Sequence, residues 1–219
     1  MEILSFDRLP STQLYLIEQL QKGKLQAPNA VITSEQNDGI GSRENKWLGS
    51  DGNFFASIAV KLDETPEDLP LSSASIYFSF IMKKTLEDLG ENIWLKWPND
   101  FYFNDEKIGG TITKKMNDVL VCGIGINLKN SENGYRALQS DISPQELLEK
   151  YLFKLQEFPK WKQIFSEYEV EFELSRKFSV HIENYQNDHR KGCKKSLAEA
   201  SLCGDGSVII GGKRVYSLR

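Results

Sequence analysis

The sequence predicts an α+β fold: a mixed β-sheet with helices packed on one side, followed by a small β appendage. Three observations carry this expectation. Strand-like apolar stretches are interleaved with helical patterns up to residue 174. Several strands follow one another in quick succession between residues 93 and 127. The composition then changes near residue 175, beyond which short strands and glycine turns take over. The expected division is 1–174 and 175–219.

Residues 2–6 read as a short strand, turned by Asp7 and Pro10. Ser11 or Thr12 then caps a helix in which Leu14, Ile17 and Leu20 recur at helical spacing, ending near Gly23. Residues 30–33 form a buried strand, and a polar, glycine-punctuated stretch follows from Ser34 to Asn53. A loop of that length inside a compact domain is a candidate functional element. Residues 54–62 are the next strand. Pro70 to Leu89 is the longest helical pattern, stopped by Gly90. Strands at 93–97, 101–103, 107–113 and 119–127 follow, with Asn104-Asp105 and Asn117-Asp118 as reversals. Helical signals resume at 144–157 and 160–173. Gly204-Asp205-Gly206 and Gly211-Gly212 are hairpin turns in the last forty-odd residues, which suggest a small docked barrel.

With a formal charge of -4 there is no global basic footprint, so a general nucleic-acid role is disfavoured. Cys122, Cys193 and Cys203 form no CxxC pair and, with only His181 and His189 beside them, no zinc-type cluster. Scattered thiols suit a reducing compartment. The opening MEILSFDRLPST has no basic-then-apolar signal region, and no apolar run approaches the roughly 18 residues of a membrane helix. A cytoplasmic location without membrane contact is expected.

Common nucleotide motifs fail. Gly39-Ile40-Gly41 and Gly123-Ile124-Gly125 each begin a G-x-G, but Glu44 and Leu128 stand where a dinucleotide fingerprint needs its last glycine. There is no P-loop, no nucleophile elbow and no HExxH. Four segments remain. Ser11-Thr12-Gln13 offers hydroxyls at a helix start, either as a plain cap or as partners for a polar head group. The stretch from Gln36 to Trp47 is either a solvated loop or one that orders over a ligand, with Arg43 and Lys46 for anion contact and Trp47 as a stacking ring. In Lys96-Trp97-Pro98-Asn99-Asp100 the proline removes a ladder hydrogen bond, so it marks a strand end or bulge. Asn99, Asp100 and the lysine of Lys107-Ile108-Gly109-Gly110-Thr111 form a donor–acceptor cluster of the kind that a phosphate and its metal need. The alternate glycines of Gly123-Ile124-Gly125-Ile126-Asn127 suggest a ligand or another backbone lying against the strand.

In this order and spacing the segments resemble the biotin–protein ligases, from residue 2 to about 128, with Lys-Trp-Pro-Asn-Asp the most specific element. The stretch from Ala198 to Arg219 is similar to that family's small SH3-like barrel. The resemblance implies a class II synthetase-like catalytic domain that activates biotin with ATP and Mg²⁺ to biotinyl-5'-AMP. The biotin then passes to a lysine of the biotin carboxyl carrier protein of acetyl-CoA carboxylase. It implies a biotin-binding set of Ser11, Thr12, Gln13, Gln36, Gly39, Ile40, Gly41, Lys107, Gly110 and Gly125. The implied nucleotide-binding set is Ser42, Arg43, Lys46, Trp47, Asn99, Ile126 and Asn127. Lys107, Asp100 and Arg43 are the implied catalytic residues, with Asp100 also on the metal side.

The chain departs from the family at Ile40 and Ser42, which stand where two loop arginines are usual; Arg43 and Lys46 are then the candidate replacements. With Ser11 so near the start, no room is seen for the helix-turn-helix domain of the bifunctional members, and no DNA role is expected. A homodimer could form through an exposed sheet edge. The alternatives are a lipoate or octanoate ligase of the same fold, which would want an apolar tunnel rather than ureido partners, and a non-catalytic biotin or nucleotide sensor.

Overall fold

The computed structural model describes residues 1–41, 46–47, 52–129, 137–182 and 193–217, and of Lys46 and Cys193 only the backbone. Along the chain run β1 (Glu2–Leu9), α1 (Thr12–Gln21), β2 (Asn29–Gln36), β3 (Gly39–Ile40), β4 (Lys46–Trp47) and β5 (Phe54–Lys61). Then come α2 (Ala74–Glu87), β6 (Ile93–Lys96), β7 (Asp100–Phe103), β8 (Glu106–Met116), β9 (Val119–Ile126), α3 (Pro144–Leu155) and α4 (Trp161–Glu171). The short strands β10 (Ser179–Ile182), β11 (Cys193–Ser196), β12 (Ser201–Leu202), β13 (Val208–Ile210) and β14 (Lys213–Val215) complete it.

Seven strands form one sheet in the order β1-β2-β5-β9-β8-β7-β6. The β1–β2 pair is parallel, joined by α1, and the other pairs are antiparallel, so the sheet is mixed as expected. Asn104 and Asn117 sit in their turns with φ of 51° and 50°. The long helical pattern starts later than expected, because Leu71–Ser73 forms a tight 3₁₀ turn before α2. The 34–53 stretch is not wholly irregular: β3 and β4 pair within it, Gly39 opposite Trp47.

One expectation is corrected: helices lie on both faces of the sheet. Leu16 and Ile17 of α1 pack with Val31, Ala59 and Val121 in a cluster of their own. The alternate residues of the same strands (Ala30, Ile32, Ile58, Val60, Cys122) face α2, α3 and α4 in the main core. The reason lies in β5 and the Ala30–Ile32 part of β2, where consecutive residues are apolar; strands buried on both faces need a cover on each. Each fully buried Leu or Ile in these clusters contributes roughly 1.5–3 kcal/mol. Because α1 packs chiefly on β2, β5 and β9, most of that face over β8 and β7 is left uncovered by it.

The C-terminal segment also differs from expectation. Among the described residues it forms a two-stranded sheet (β10–β11) and a separate three-stranded sheet (β12–β13–β14), not a closed SH3-like barrel. Its apolar residues Val180, Leu197, Ala200, Val208 and Val215 belong to the same core as α2 to α4. Backbone carbonyls of its turn are held from the other side: Trp97 Nε1 donates to Gly206 O at 2.9 Å, Trp161 Nε1 to Gly204 O at 2.9 Å, and Ser73 Oγ to Asp205 O.

Candidate active site

The strand register lays out two rows on the α1 face. One runs Phe55–Gly125–Gly110–Asp100, and the next runs Ser57–Gly123–Ile112. Where these rows pass the N-terminus of α1 there is a cavity of about 310 Å³, at the lower end of the range for small-molecule sites. Its floor depends on the absence of side chains. A Cβ on Gly123 would stand 3.0 Å from Gln13 Oε1, and one on Gly125 would stand 2.9 Å from the Trp47 ring.

One end is built of neutral hydrogen-bonding groups. Ser11 caps α1, its Oγ accepting from Leu14 N at 3.4 Å. Thr12 donates to Gln36 Oε1 from its backbone N at 2.9 Å and from Oγ1 at 3.1 Å, and Oγ1 also meets Ser57 Oγ at 2.9 Å. The Gln36 amide nitrogen lies against Gly39, where a Cβ would come within 2.4 Å of it. Among the described residues Gln13 Oε1 is buried with no hydrogen-bond partner, and so is Trp47 Nε1. A buried acceptor left without a donor costs about 1–3 kcal/mol, so Gln13 Oε1 is able to accept an N–H within the cavity.

The other end is ionic. The β6–β7 hairpin turns at Trp97-Pro98-Asn99, with a cis bond between Trp97 and Pro98. This sets Lys96 opposite Asp100. Asp100 Oδ1 accepts from Lys107 Nζ at 2.6 Å, and Oδ2 from Lys96 Nζ at 3.2 Å. Asn99 donates its side-chain nitrogen to Thr111 O, and its own carbonyl accepts from Thr111 N at 3.0 Å. Lys107 Nζ stands 5.8 Å from the centre of the Trp47 ring. Beside this cluster, burial, with Asp100 adding to it, pushes the Tyr102 phenol up to about 12.

Most of the expected site residues come together. Ser11, Thr12, Gln13, Gln36, Ile40, Gly41, Trp47, Asn99, Asp100, Lys107, Gly110, Gly125 and Asn127 all line the cavity. Gly39 stands just behind, between Gln36 and the Trp47 backbone. Ile126, expected to contribute through its backbone, is not among the lining residues. Its side chain is fully buried in the main core, because a strand that turns Gly123 and Gly125 to one face turns Ile126 to the other. Ser42 and Arg43 lie outside the described residues, as does the side chain of Lys46. Trp97, part of the most specific motif, points away from the cavity: it is fully buried, donates from Nε1 to Gly206 O, and from its backbone N to Ser175 Oγ at 3.0 Å. Ser57 and Ile112, to which no motif points, also line the cavity, as do Thr111 and Gly123 of the two glycine-bearing strand segments. The available signal for Ser57 is that it is the one polar residue in the strand Phe54 to Val60.

Among the described residues no group of three or more His, Cys, Asp or Glu could hold a metal ion, and no helix is long and apolar enough to cross a membrane.

Comparison with known proteins agrees with this geometry. The model of the biotin/lipoate A/B protein ligase family matches residues 5–130. The bifunctional ligase/repressor BirA of Escherichia coli (strain K12) is 32% identical over 127 residues, 55% of this chain and 38% of that protein. The biotin–[acetyl-CoA-carboxylase] ligase of Paracoccus denitrificans is 29% identical over 110 residues, 45% of this chain and 43% of its own length. The match thus spans less than half the length of these curated relatives. A solved structure of the biotin acetyl coenzyme A carboxylase synthetase from Helicobacter pylori, with bound biotinylated ATP, has 38% identity and a TM-score of 0.89. It covers 98% of this chain and 99% of that one. The biotin protein ligase from Aquifex aeolicus, at 23% identity and TM-score 0.74, shares the fold, with 100% of this chain and 96% of that one covered. The chain belongs to the biotin/lipoate A/B protein ligase family.

Proposed function

We infer that this chain is a biotin–protein ligase: it joins biotin to ATP as biotinyl-5'-AMP and passes the biotin to a lysine of the biotin carboxyl carrier protein of acetyl-CoA carboxylase. The observation that carries this is the cavity's division into two unlike ends. Thr12, Gln36, Ser57 and the unpartnered Gln13 Oε1 form a small neutral set of donors and acceptors, suited to a cyclic urea. Asp100 lies in the same row as Gly125, two strands beyond it and on the same face, a distance of roughly 10 Å from strand spacings, and Lys107 is paired with it. A ring head with a short carboxylate tail fits that separation. A plain acyl chain, as in lipoate or octanoate, would leave the polar end unpaired, which is why the biotin branch is favoured.

The chemistry needs a cation at the tail. A carboxylate attacking the α-phosphate of ATP brings two anions together, and two unit charges 4 Å apart interact by about 4 kcal/mol at an effective dielectric of 20. Lys107, partly shielded by the Trp47 ring, is the residue placed to offset that repulsion. Trp47 lies on Gly125 and keeps water from the acyl phosphate. Asn99 and Asn127 face the nucleotide side. Arg43 and Lys46 remain the candidates for the phosphate contacts that Ile40 and Ser42 do not make.

Mg²⁺ fits Asp100 poorly. Asp100 is the one carboxylate among the described lining residues, and each of its oxygens already carries an ammonium group. The ion enters this reading as part of MgATP, held chiefly by phosphate oxygens.

In the same reading residues 1–174 form the catalytic unit and 175–219 an appendage with SH3-like strands packed behind the β6–β7 turn. A homodimer through a sheet edge would use β1. At the opposite edge, β6, the backbone N–H groups of Leu95 and Trp97 are taken by Glu171 and Ser175. A cytoplasmic location and the lack of a DNA role belong to the proposal as well.

The test is incubation with ATP, Mg²⁺, an apo carrier domain and, in parallel, biotin, lipoate or octanoate. A mass increase of the carrier with biotin alone is the expected result. Modification with lipoate or octanoate but not biotin would overturn it.

A further inference from the structure

Two lysines share one carboxylate in this site, and they are held very differently. Lys107 follows the turn at Asn104-Asp105, and its side chain is 40% exposed. That of Lys96 is 11% exposed. Lys96 lies on β6 between two residues whose backbone N–H groups are fixed from outside the sheet, Leu95 by the Glu171 carboxylate and Trp97 by Ser175 Oγ. Its Nζ sits 5.7 Å from the centre of the Tyr102 ring. Gly110 lies opposite, where a Cβ would stand 3.4 Å from Asp100 Oδ1 and 3.7 Å from Lys107 Nζ, so nothing crowds the outward side of the pair.

We propose that Lys96 is a positioning residue that anchors Asp100 for the transfer step. Lys107 is the exchangeable partner: it lies on Oδ1 in the resting site and moves to the acyl phosphate once that forms. Oδ1 is then open to the ammonium of the acceptor lysine, while Lys96 keeps Oδ2 and therefore the direction of the carboxylate. Held there, the acceptor gives up its proton to solvent on the exposed Lys107 side. Its nitrogen attacks the acyl carbon, the C–N bond forms, the acyl C–O bond to phosphate breaks, AMP leaves with that electron pair, and the nitrogen's second proton passes to solvent to leave the neutral amide. Lys96 touches none of the reacting atoms; it acts through Asp100 alone.

This rests on the biotin ligase reading, and the experiment separates the two. Adenylate formation is followed without carrier, as pyrophosphate release, and transfer is followed in a single turnover from preformed biotinyl-5'-AMP to an apo carrier domain. Lys96→Met should slow transfer by about tenfold or more while adenylate formation stays within about threefold, the scale expected when a buried charged partner is lost. Lys96→Arg should restore most of the transfer rate. In an Asp100→Asn background Lys96→Met should add little further loss, since the two act as one unit. If Lys96→Met does not fold, as judged by circular dichroism, Lys96→Gln replaces it, with the same split expected. Equal loss of both half-reactions in a folded variant, or unchanged transfer, would overturn the role of Lys96. A wild-type chain that makes no adenylate from biotin would instead overturn the activity itself.

Discussion

The two ends of the cavity are built on different principles. At the α1 end every group named is buried: Ser11, Thr12, Gln13, Gln36 and Ser57 are each less than 8% exposed. They are neutral, and all but Gln13 Oε1 are already hydrogen-bonded to one another or to the helix. At the β6–β8 end the groups are charged, and Lys107 is open to solvent. A buried neutral network can choose a ligand, because a wrong head group leaves paired donors and acceptors unsatisfied, but it has little to offer a developing charge. An exposed cation chooses poorly, yet it can move onto a phosphate. On the proposed reading, selection and activation fall to separate rows of one sheet, and substitutions in the two should fail in different ways.

The largest effect is expected at the charged end. Lys107→Ala should slow adenylate formation by about 10²–10³-fold, in line with losing one group that stabilises transition-state charge. Its thermal midpoint should hardly move, because the side chain is partly exposed and its pair with Asp100 contributes little to folding. Pyrophosphate release and a melting curve measure both, and turnover within threefold of wild type would show that the activating cation is elsewhere. Next comes the floor between the ends. Gly125→Ala puts a methyl 2.9 Å from the Trp47 ring, which must shift. Overpacking of that kind costs about 1–3 kcal/mol, so the KM for biotin and for ATP should both rise, from several-fold to a hundredfold. A rise in only one would mean that Trp47 serves one ligand and not the junction.

At the neutral end the effect should be smaller and of another kind. Ser57→Ala removes one hydroxyl from the Thr12–Gln36 network, leaving Gln36 still bonded to Thr12. A single neutral hydrogen bond contributes about 1 kcal/mol, so the Kd for biotin should rise about fivefold with little change in the rate at saturating biotin. Calorimetry of biotin binding beside saturated turnover reads the split, and a fall in turnover with unchanged Kd would break the division of labour.

The two ends were also unequally legible in the sequence. Ser11 and Thr12 could be read because a hydroxyl before a helical pattern has few other uses than capping or binding. Lys96 to Asp100 could be read because a proline and an asparagine between two short strands force a turn. Ser57 could not, since a single serine in an apolar strand is compatible with packing, and only its register with Gly123 places it in the cavity. The two-residue period also turns the side chain of Ile126 to the core once Gly123 and Gly125 face the cavity, so this residue can offer the site only its backbone. The same period, applied to β2 and β5, shows apolar residues on both faces and so a helix on each side. Trp97 was the subtler case. The motif that contains it is a reliable marker, yet its ring serves the back of the turn, where its partner Gly206 is more than a hundred residues away in sequence.

That placement leads to the smallest expected catalytic effect, at a position that family likeness alone would rank among the most sensitive. Trp97→Phe keeps the ring in the core and the backbone N–H on Ser175, but removes the donor to Gly206 O. The carbonyl is then buried without that partner, at a cost of about 1–3 kcal/mol in stability. For a chain of this size that corresponds to a fall of a few degrees in Tm. Neither end of the cavity loses a contact, so adenylate formation and transfer, measured well below the new Tm, should each stay within about threefold, the scale of an error of ~0.6 kcal/mol. A loss approaching that of Lys107→Ala would mean that the turn is set from behind by the C-terminal segment. The charged end would then be assembled by tertiary packing, not by the local hairpin.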